Sequence, residues 1–386
     1  MSLGTRVIVQ RDDTYKDKYY PTLVSATTNE TFPWSCPTAT INVLSSAYTN
    51  SQASTSPIRK GDIIRLQVNL RQSESEKNVW QDLFHGRIHR IGTSISESQR
   101  QTSFLCRGHG EENLYKAVTS DYSAASTTTG AMLLALQTAY ETRITDATTS
   151  LIDSTGSTAI GNYNIQAKTR YVVDAIKDFE ELEGYGYIYS NTVVYDSDRN
   201  LSAVYGSWQA LPTTVTDVVK IVGGKNVKSA DFYTTLEGLV NDVTIYGISG
   251  SPQKTGNATD ATSIAAYNTR HHIATDQTIL TDALCLSLAT AIKSSRATAS
   301  GEIHGTVTIL GNPNIELGML VPTHIEQLEL EGAAINDNFR VCRKSHSINA
   351  DGFTTSVDLG ELILTDDDIM ADFHTKNRLN NSNLVD

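Results

Sequence analysis

Two distant segments of this chain carry the same sequence pattern. Residues 86–106, GRIHRIGTSISESQRQTSFLC, align without a gap on residues 339–359, FRVCRKSHSINADGFTTSVDL. The segments are identical at six positions, which pair Arg87 with Arg340, Arg90 with Arg343, Ser94 with Ser347, Ile95 with Ile348, Thr102 with Thr355 and Ser103 with Ser356. Upstream, residues 60–64 match residues 318–321, with a slightly different loop length in between. A β unit repeated within one chain constrains the architecture before it says anything about chemistry.

Length, composition and charge narrow the class of protein. The 386 residues suffice for two to four domains, and serine, threonine and asparagine are abundant, which favours strands and turns over long helices. The net charge of −12, from 31 basic and 43 acidic residues, argues against a surface that binds nucleic acid through its phosphates. It suits a solubilising surface, or a conduit that DNA crosses without sticking. The sequence has neither an apolar run of membrane-helix length nor a signal core, so we expect synthesis inside the cell and no membrane segment.

Residues 1–112 are predicted to form a β-rich first domain. Period-two alternation and turn residues predict strands at 6–10, 39–44, 62–70, 83–91 and 101–107. In the fourth of these, His85, Arg87 and His89 alternate with Phe84, Gly86 and Ile88. That strand should therefore have one polar face and one largely apolar face.

Residues 113–225 are predicted to form an inserted mixed α+β domain. Apolar residues at helical spacing predict helices over 130–144 and 170–183, with Thr169 as the N-cap of the second and Gly184 following its end. Residues 185–190 and 192–197 flank Asn191 and are predicted to form a hairpin. The polar stretches 119–130 and 145–164 are predicted to be surface loops.

Residues 226–365 return to a β-rich pattern with one helix. We predict a strand at 240–247, a polar loop at 249–263, a helix at 281–296 capped by Thr281 and a strand at 303–309. Asn312 and Pro313 predict a turn, after which the second copy of the repeat closes the domain. Residues 366–386 are interpreted as a polar C-terminal tail.

These motifs resemble a known family. Two consecutive segments are similar to the closing domain of tailed-phage baseplate hub proteins, which are often labelled late control D or tail-hub proteins. The segments are GEIHGTVTILGNPNIELGMLV and NDNFRVCRKSHSINADGFTTSVDLGEL. This group is related to the hub part of type VI secretion spikes. KGDIIRLQVNL and LFHGRIHRI resemble the family's first domain. The resemblance covers about 55–115 and 275–363, and its motifs encode β-barrel geometry rather than a reaction.

The resemblance implies two similar β-barrel domains of the tube type, at 1–112 and 226–365, around the mixed α+β domain. Family members are trimers in which two barrels per chain form a ring of six units. The expected role is a structural symmetry adaptor at the tail tip or baseplate of a virion, made in the host cytoplasm. Its expected partners are two further copies, a tail-tube or distal tail protein ring, a tip spike or fibre protein, a tape-measure protein and DNA in transit, bound without sequence specificity. The alternatives are the hub of a contractile protein-injection particle and a β-rich glycan-binding or wall-degrading tail-tip protein.

Several residue groups invite an enzymatic or metal-binding interpretation. Five histidines lack a metal-ligand spacing: His271, His272, His85, His89 and His109. His271 and His272 are adjacent on an extended segment, so they point in opposite directions. His85 and His89 share a strand face, but the cation Arg87 lies between them. Asp196, Asp198 and Asn200 imitate the start of a calcium loop, but Leu201 stands where glycine is required and Ser207 where glutamate is required. We therefore predict no metal.

Catalytic and cofactor motifs are equally weak. Residues 222–225, VGGK, lack the spacing of a phosphate loop and are interpreted as a linking turn. The carboxylates Asp178, Glu180, Glu181 and Glu183 are interpreted as the solvated face of a helix rather than a glycosidase pair. Cys36, Cys106, Cys285 and Cys342 lack CxxC spacing and are predicted to be reduced thiols. No catalytic residue, cofactor or enzymatic activity is predicted.

Overall fold

A computed structural model describes residues 2–10, 18–32, 34–45, 58–71, 80–96, 99–140, 159–183, 186–196, 201–234, 239–250, 252–275, 281–296, 303–330 and 333–360. By its internal contacts the chain divides into two compact units. The first comprises residues 1–231 and 306–359, and the second comprises residues 232–305 and 360–386. The four-part division at 112, 225 and 365 remains a prediction.

The described elements are mostly strands. In chain order they are β1 (Ser2–Gln10), β2 (Lys18–Tyr19), β3 (Leu23–Thr31), β4 (Thr38–Leu44), β5 (Ile63–Arg71), β6 (Gln81–Ser96), β7 (Gln99–Gly108), α1 (Glu111–Tyr115), β8 (Tyr122–Thr128), α2 (Thr129–Tyr140), β9 (Ala159–Ile165), α3 (Val172–Leu182), β10 (Tyr187–Tyr195), β11 (Leu201–Ala210), β12 (Ile221–Val222), β13 (Val227–Thr234), β14 (Asp242–Tyr246), β15 (Thr255–Thr259), α4 (Ala261–Tyr267), β16 (His271–Thr275), α5 (Asp282–Arg296), β17 (Ile303–Leu310), β18 (Leu320–Leu330), β19 (Ala333–Asn349) and β20 (Gly352–Leu359). The prediction of a mainly β chain is confirmed.

One 13-stranded sheet contains both copies of the repeat. Its pairing order is β13-β17-β20-β19-β3-β4-β7-β6-β5-β1-β2. Two further strands lie off this path: β18 pairs with β19, and β12 pairs with β18. The strands β3 to β7 are therefore arranged as β3-β4-β7-β6-β5, and β13 with β17 to β20 as β13-β17-β20-β19-β18. The two groups of five strands have the same spatial order, so the duplication covers more of the chain than the 21 aligned residues. Across the described strands the path is open, with β13 and β2 at its ends.

The strand registers confirm the sequence alignment residue by residue. Ile88 pairs with Cys106 and, after a bulge, Arg90 pairs with Leu105. In the second copy Val341 pairs with Leu359 and, after a bulge, Arg343 pairs with Asp358. Every one of these residues stands opposite the partner that the gapless alignment requires, and the bulge falls at the same place. Arg87 and Arg340 therefore occupy equivalent positions, as predicted, and so do Ile95 and Ile348.

A hydrophobic core lies under the first copy and includes residues of the second. The alternating apolar positions of β1, β4, β5, β6 and β7 all contribute to it, because period-two alternation places them on one face of the sheet. Ile348 and Phe353 from the β19–β20 hairpin belong to the same cluster. β3 joins the copies because it pairs with β4 on one edge and with β19 on the other. The sequence analysis did not predict β3.

The inserted segment between β7 and β12 contains both predicted helices, but its strands differ from the prediction. β10 continues straight through Asn191, which lies opposite Gly206, and the whole of β10 pairs with β11. The predicted hairpin turn at Asn191 is therefore wrong, because the alternation of buried and exposed residues does not break there. The predicted surface loops are also partly wrong, since β8 pairs with β9. Residues 141–158 lie outside the described part of the chain.

The helix α3 begins later than predicted. Thr169 Oγ1 donates to the carbonyl oxygen of Gln166, so it is not the N-cap. The backbone N–H of Tyr171 donates instead to Asp174 Oδ2 at 2.8 Å, an arrangement that satisfies an amide at the helix start. Gly184 lies outside the described residues.

The second unit has a core of its own. β14 pairs antiparallel with β15 and parallel with β16, and α5 covers one face of this sheet with Cys285, Leu288, Ala289 and Ile292. The predicted helix at 281–296 is confirmed by α5. The predicted polar loop at 249–263 is wrong, because β15 and the start of α4 occupy it. Asn257 stabilises that polar strand by donating to Asp242 Oδ1 and Thr244 Oγ1 on β14.

Candidate interaction edges of the duplicated sheet

Each copy of the repeat contains an arginine bound to a glycine carbonyl, and the glycine lies just before β5 in the first copy and just before β18 in the second. Arg87 Nη1 donates to the Gly61 carbonyl oxygen at 2.9 Å, and Arg340 Nη1 donates to the Gly318 carbonyl oxygen at 2.7 Å. Both glycines have positive φ, +91° and +78°, a conformation that favours glycine. Their N–H groups donate to the carbonyl oxygens of the matched residues Ile88 and Val341. The identical arginines of the repeat thus hold equivalent turns.

On the polar face predicted for 83–91, Arg87 is buried, His85 is partly buried and His89 is exposed. The start of β6 also forms a polar network with β5. Arg65 on β5 contacts both carboxylate oxygens of Asp82, at 3.2 and 2.8 Å, and Gln67 Nε2 donates to Asp82 Oδ1 at 2.7 Å. The guanidinium of Arg65 lies 3.5 Å from the centre of the Tyr195 ring, a cation–π contact with the end of β10. Burial and the nearby Asp82 raise the pKa of Tyr195 well above its ordinary value. This network fixes the inserted segment on the sheet.

Partly buried His85 and buried His109 form a stacked pair beside this network. Their ring centroids are 5.5 Å apart. His85 Nδ1 and His109 Nε2 are buried atoms that have no hydrogen-bond partner among the described residues. Burial is the main cause that lowers the pKa of each imidazole, and for His109 the neighbouring His85 and Arg87 lower it further. Both rings are therefore neutral near pH 7 and serve as apolar packing.

Glu180 on α3 is fully buried, so it is not part of a solvated helix face. Its carboxylate accepts from the backbone N–H of Trp34 at 2.9 Å and from that of Tyr189 at 3.3 Å. The rings of Trp34 and Tyr189 also meet edge to face, 5.3 Å apart. The carboxylate joins the β3–β4 connection to α3 and β10. The solvated-face interpretation also fails for Asp178, which is partly buried and bound by Arg170.

The remaining candidate site residues do not come together in one place among the described residues. His89 Nδ1 lies 3.1 Å from Glu111 Oε1, and His271 Nδ1 lies 2.8 Å from Asp242 Oδ2. In the described part of the chain, histidine, cysteine and carboxylate side chains nowhere form a group of three that could hold a metal. Asp198 and Asn200 lie outside the described residues. Residues 223–226 form a turn, in which Asn226 Oδ1 accepts from the N–H of Val222, as the linking-turn interpretation predicted.

The four cysteines are free thiols, and Cys106 and Cys285 are buried. Burial raises the pKa of Cys36 to about 12 and that of Cys106 further. Thiols in this state are poor nucleophiles. Over the residues described, none of the helices has the length and apolarity to span a bilayer.

The two repeats differ in which strand edges are paired. Residues 343–348 of β19 lie between β20 and β3. The matched part of β6 pairs with β7 alone over 90–96 among the described strands, and Thr93, Ser94 and Ile95 are exposed. β13 is the last strand at one end of the described sheet, so one of its edges is unpaired among the described strands. These edges are the sites at which a further strand can add.

Comparison with known proteins shows what this fold is. No protein-family model matches the chain, and no curated protein matches its sequence. Among solved structures, the 43 kDa tail protein of prophage MuSo2 from Shewanella oneidensis aligns with a TM-score of 0.61 at 12% identity, over 94% of this chain and 99% of that chain. The tail protein from Neisseria meningitidis MC58 gives a TM-score of 0.61 at 13% identity, over 96% and 99% of the two chains. A chain of a Francisella PdpA–VgrG complex gives 0.53 at 8% identity, over 94% of this chain and 58% of that chain.

At these identities the likeness establishes a shared fold. The chain has the fold of phage tail proteins and of a VgrG-complex component, along almost its whole length. The resemblance that the sequence motifs suggested is confirmed at this level.

Proposed function

We propose that this chain is a structural hub protein of a viral tail, located at the tail tip or baseplate. Three copies form a ring that joins a six-fold tail tube, or a ring of distal tail protein, to a three-fold tip spike or fibre. The tape-measure protein and then DNA pass through its channel. The tail proteins that share the fold along nearly the full chain support this proposal.

The observation that carries the proposal is the repeated spatial order of five strands. Strands β3-β4-β7-β6-β5 and β13-β17-β20-β19-β18 are arranged alike within one chain. Two equivalent units per chain, taken three times, present six similar surfaces to a six-fold tube, while the chain as a whole keeps three-fold symmetry. Head-to-tail contacts that close on themselves are the expected interface type for such a ring.

The finer architecture belongs to the same proposal. Each group of five strands forms the wall of one tube-type β-barrel domain once the ring is assembled, and the mixed α+β segment decorates it. The net charge of −12 supports transit of DNA without retention on the channel wall. The role is assembly rather than catalysis, and assembly precedes release from the host cytoplasm.

The proposal is tested by the mass and symmetry of the purified chain. Light scattering should give three times the monomer mass of 42.1 kDa, and class averages from electron microscopy should show a ring with three-fold symmetry. Gold-labelled antibody should mark the tail tip of intact virions. A chain that stays monomeric at tens of micromolar and is missing from tail tips would contradict the proposal.

A second candidate is the hub of a contractile protein-injection particle. The likeness to a VgrG-complex component favours it. Purified particles containing the chain separate the two candidates, because a virion carries a DNA-filled capsid and an injection particle carries protein cargo. The third interpretation, a glycan-binding or wall-degrading tip protein, predicts release of soluble fragments from peptidoglycan by the purified chain.

A further inference from the structure

The second repeat contains an occupied strand edge, and no described strand pairs with the counterpart of that edge in the first repeat. Along β19, Ile348 pairs with Ala26 of β3 and His346 pairs with Thr28. Ile348 is 5% exposed and lies in the core. The matched residue of β6, Ile95, is 78% exposed, and no described strand lies beside it. A large aliphatic side chain stands on an open edge where its counterpart is buried.

The strand equivalent to β3 is β13. β3 precedes and pairs with β4, and β13 precedes and neighbours β17 in the sheet. Their sequences align without a gap, LVSATTNET at 23–31 on VKSADFYTT at 227–235, and Ser25 and Ala26 match Ser229 and Ala230. The entry hydrogen bond is repeated too. Leu44 N–H donates to the Thr22 carbonyl at 2.9 Å, and Leu310 N–H donates to the Asn226 carbonyl at 2.8 Å.

The outer edge of β13 and the edge of β6 over residues 90–96 are therefore complementary. Within the chain, β3 of the first repeat fills the edge of β19 in the second. β13 of the second repeat is equivalent to β3 of the first, and β6 of the first repeat is equivalent to β19 of the second. Each of these two edges offers the strand that the other lacks, and one chain forms this kind of junction once among its described strands, between β3 and β19.

We infer that β13 of one copy adds to the edge of β6 on the next copy, in the register of the internal β3–β19 pair. In that register Ile95 lies opposite Ala230 of the neighbouring copy, as Ile348 lies opposite Ala26. The inference rests on the proposed trimeric hub and names the strands that close it. Repeated twice more, the contact makes the sheet continuous around the ring and buries Ile95.

The register can be tested with a disulfide. Directly opposed residues of an antiparallel pair have Cα atoms about 4.5–5.5 Å apart, within the range of about 4.4–6.8 Å that a disulfide spans. The double variant I95C/A230C should therefore crosslink neighbouring copies on mild oxidation. Non-reducing gels should show covalent dimers and, as the end point, covalent trimers that thiols dissociate.

Two matched controls fix the interpretation. I95C/D231C places the second thiol on the opposite face of β13, so it should give no more crosslink than the wild-type chain with its four native cysteines. A26C/I348C uses the equivalent pair inside one chain, so it should form a disulfide within the monomer. Mass spectrometry of the linked peptides identifies the bond in each case.

The outcomes separate the inference from the proposed function. A wild-type trimer in which A26C/I348C crosslinks but I95C/A230C does not would overturn the inference and leave the hub standing. Covalent ladders that continue past three copies would support the strand pairing and contradict the trimer. A monomeric wild-type chain without crosslinks would overturn both.

Discussion

Ile95 and Ile348 hold the same register position in two equivalent hairpins, yet the first is 78% exposed and the second 5% exposed. The difference arises from β3, which lies along β19 and covers Ile348, while the described strands leave the matching edge of β6 open. Identical residues at matched positions of the repeat therefore have different neighbours within one chain. The isolated chain and the assembled chain should respond differently to changes at these two positions.

Truncating the two isoleucines should separate folding from assembly. Ile348→Ala should lower the free energy of unfolding by about 2–4 kcal/mol, because it leaves a cavity in the core. Ile95→Ala should change the stability of the dilute monomer by less than about 0.5 kcal/mol, since water already reaches the side chain. Urea unfolding at low protein concentration measures both. Equal losses at the two positions would show that Ile95 is buried within its own chain.

The repeat is visible in the sequence because strand pairing requires the same residue spacing in both copies. The bulge after Ile88 and Val341 and the paired arginines preserve spacing, and spacing is visible in a gapless alignment. The β3–β13 match was harder to find. β13 has few apolar residues, and β3 consists largely of small polar residues whose burial depends on neighbours far along the chain.

The errors share a physical cause. The sequence predicts a turn at Asn191, but its strand pairs with β11 along its length. The sequence also predicts that Glu180 faces water, but two backbone amides from distant elements satisfy its carboxylate in the interior. Both are tertiary effects that local propensity does not report. The open edge of β6 was equally invisible in the sequence, because it is defined by which strand pairs with the matched edge of β19.

The glycines that receive the arginine hydrogen bonds should differ in their tolerance of alanine. Gly61 and Gly318 have positive φ, so Gly61→Ala should cost about 1–2 kcal/mol in backbone strain. Gly318→Ala should cost up to about 1 kcal/mol more, because the added methyl group displaces the terminal methyl of Leu211, whereas no described atom lies within 4 Å of a methyl group added at Gly61. Thermal and urea unfolding of the two variants measure the difference. A larger loss for Gly61→Ala would contradict this account.

Replacing the buried carboxylate of Glu180 should loosen the contact between α3 and the β3–β4 connection. Glu180→Gln should cost about 1–3 kcal/mol, since one of the amides of Trp34 and Tyr189 then faces a donor instead of an acceptor. Asp217→Asn is the control, because that side chain is 98% exposed and its replacement should change little. Urea denaturation gives the free energies. Hydrogen exchange of the Trp34 amide should rise in the glutamine variant alone.

Acid should destabilise the chain through His346. Burial, and secondarily Lys344, lower the pKa of this imidazole to about 3, and it hydrogen-bonds Thr355 Oγ1 at 2.9 Å through Nδ1. The unfolded chain binds a proton here below about pH 6.5, whereas the folded chain does so only near pH 3. The stability that the neutral ring contributes is therefore complete above pH 6.5. It falls by about 1.4 kcal/mol per pH unit as the pH drops through this window.

His346→Gln removes the titrating group, so its unfolding free energy should decline less steeply than that of the wild-type chain between pH 6.5 and 3. Thr93→His is the matched control, because it places an imidazole at the equivalent position of the first repeat, which is exposed. In the dilute monomer water solvates that ring in both the folded and the unfolded chain, so the slope should stay as in the wild type. Urea unfolding at half-unit pH steps gives the slopes. Parallel curves for His346→Gln and the wild type would mean that His346 takes up its proton equally in the folded and unfolded chains.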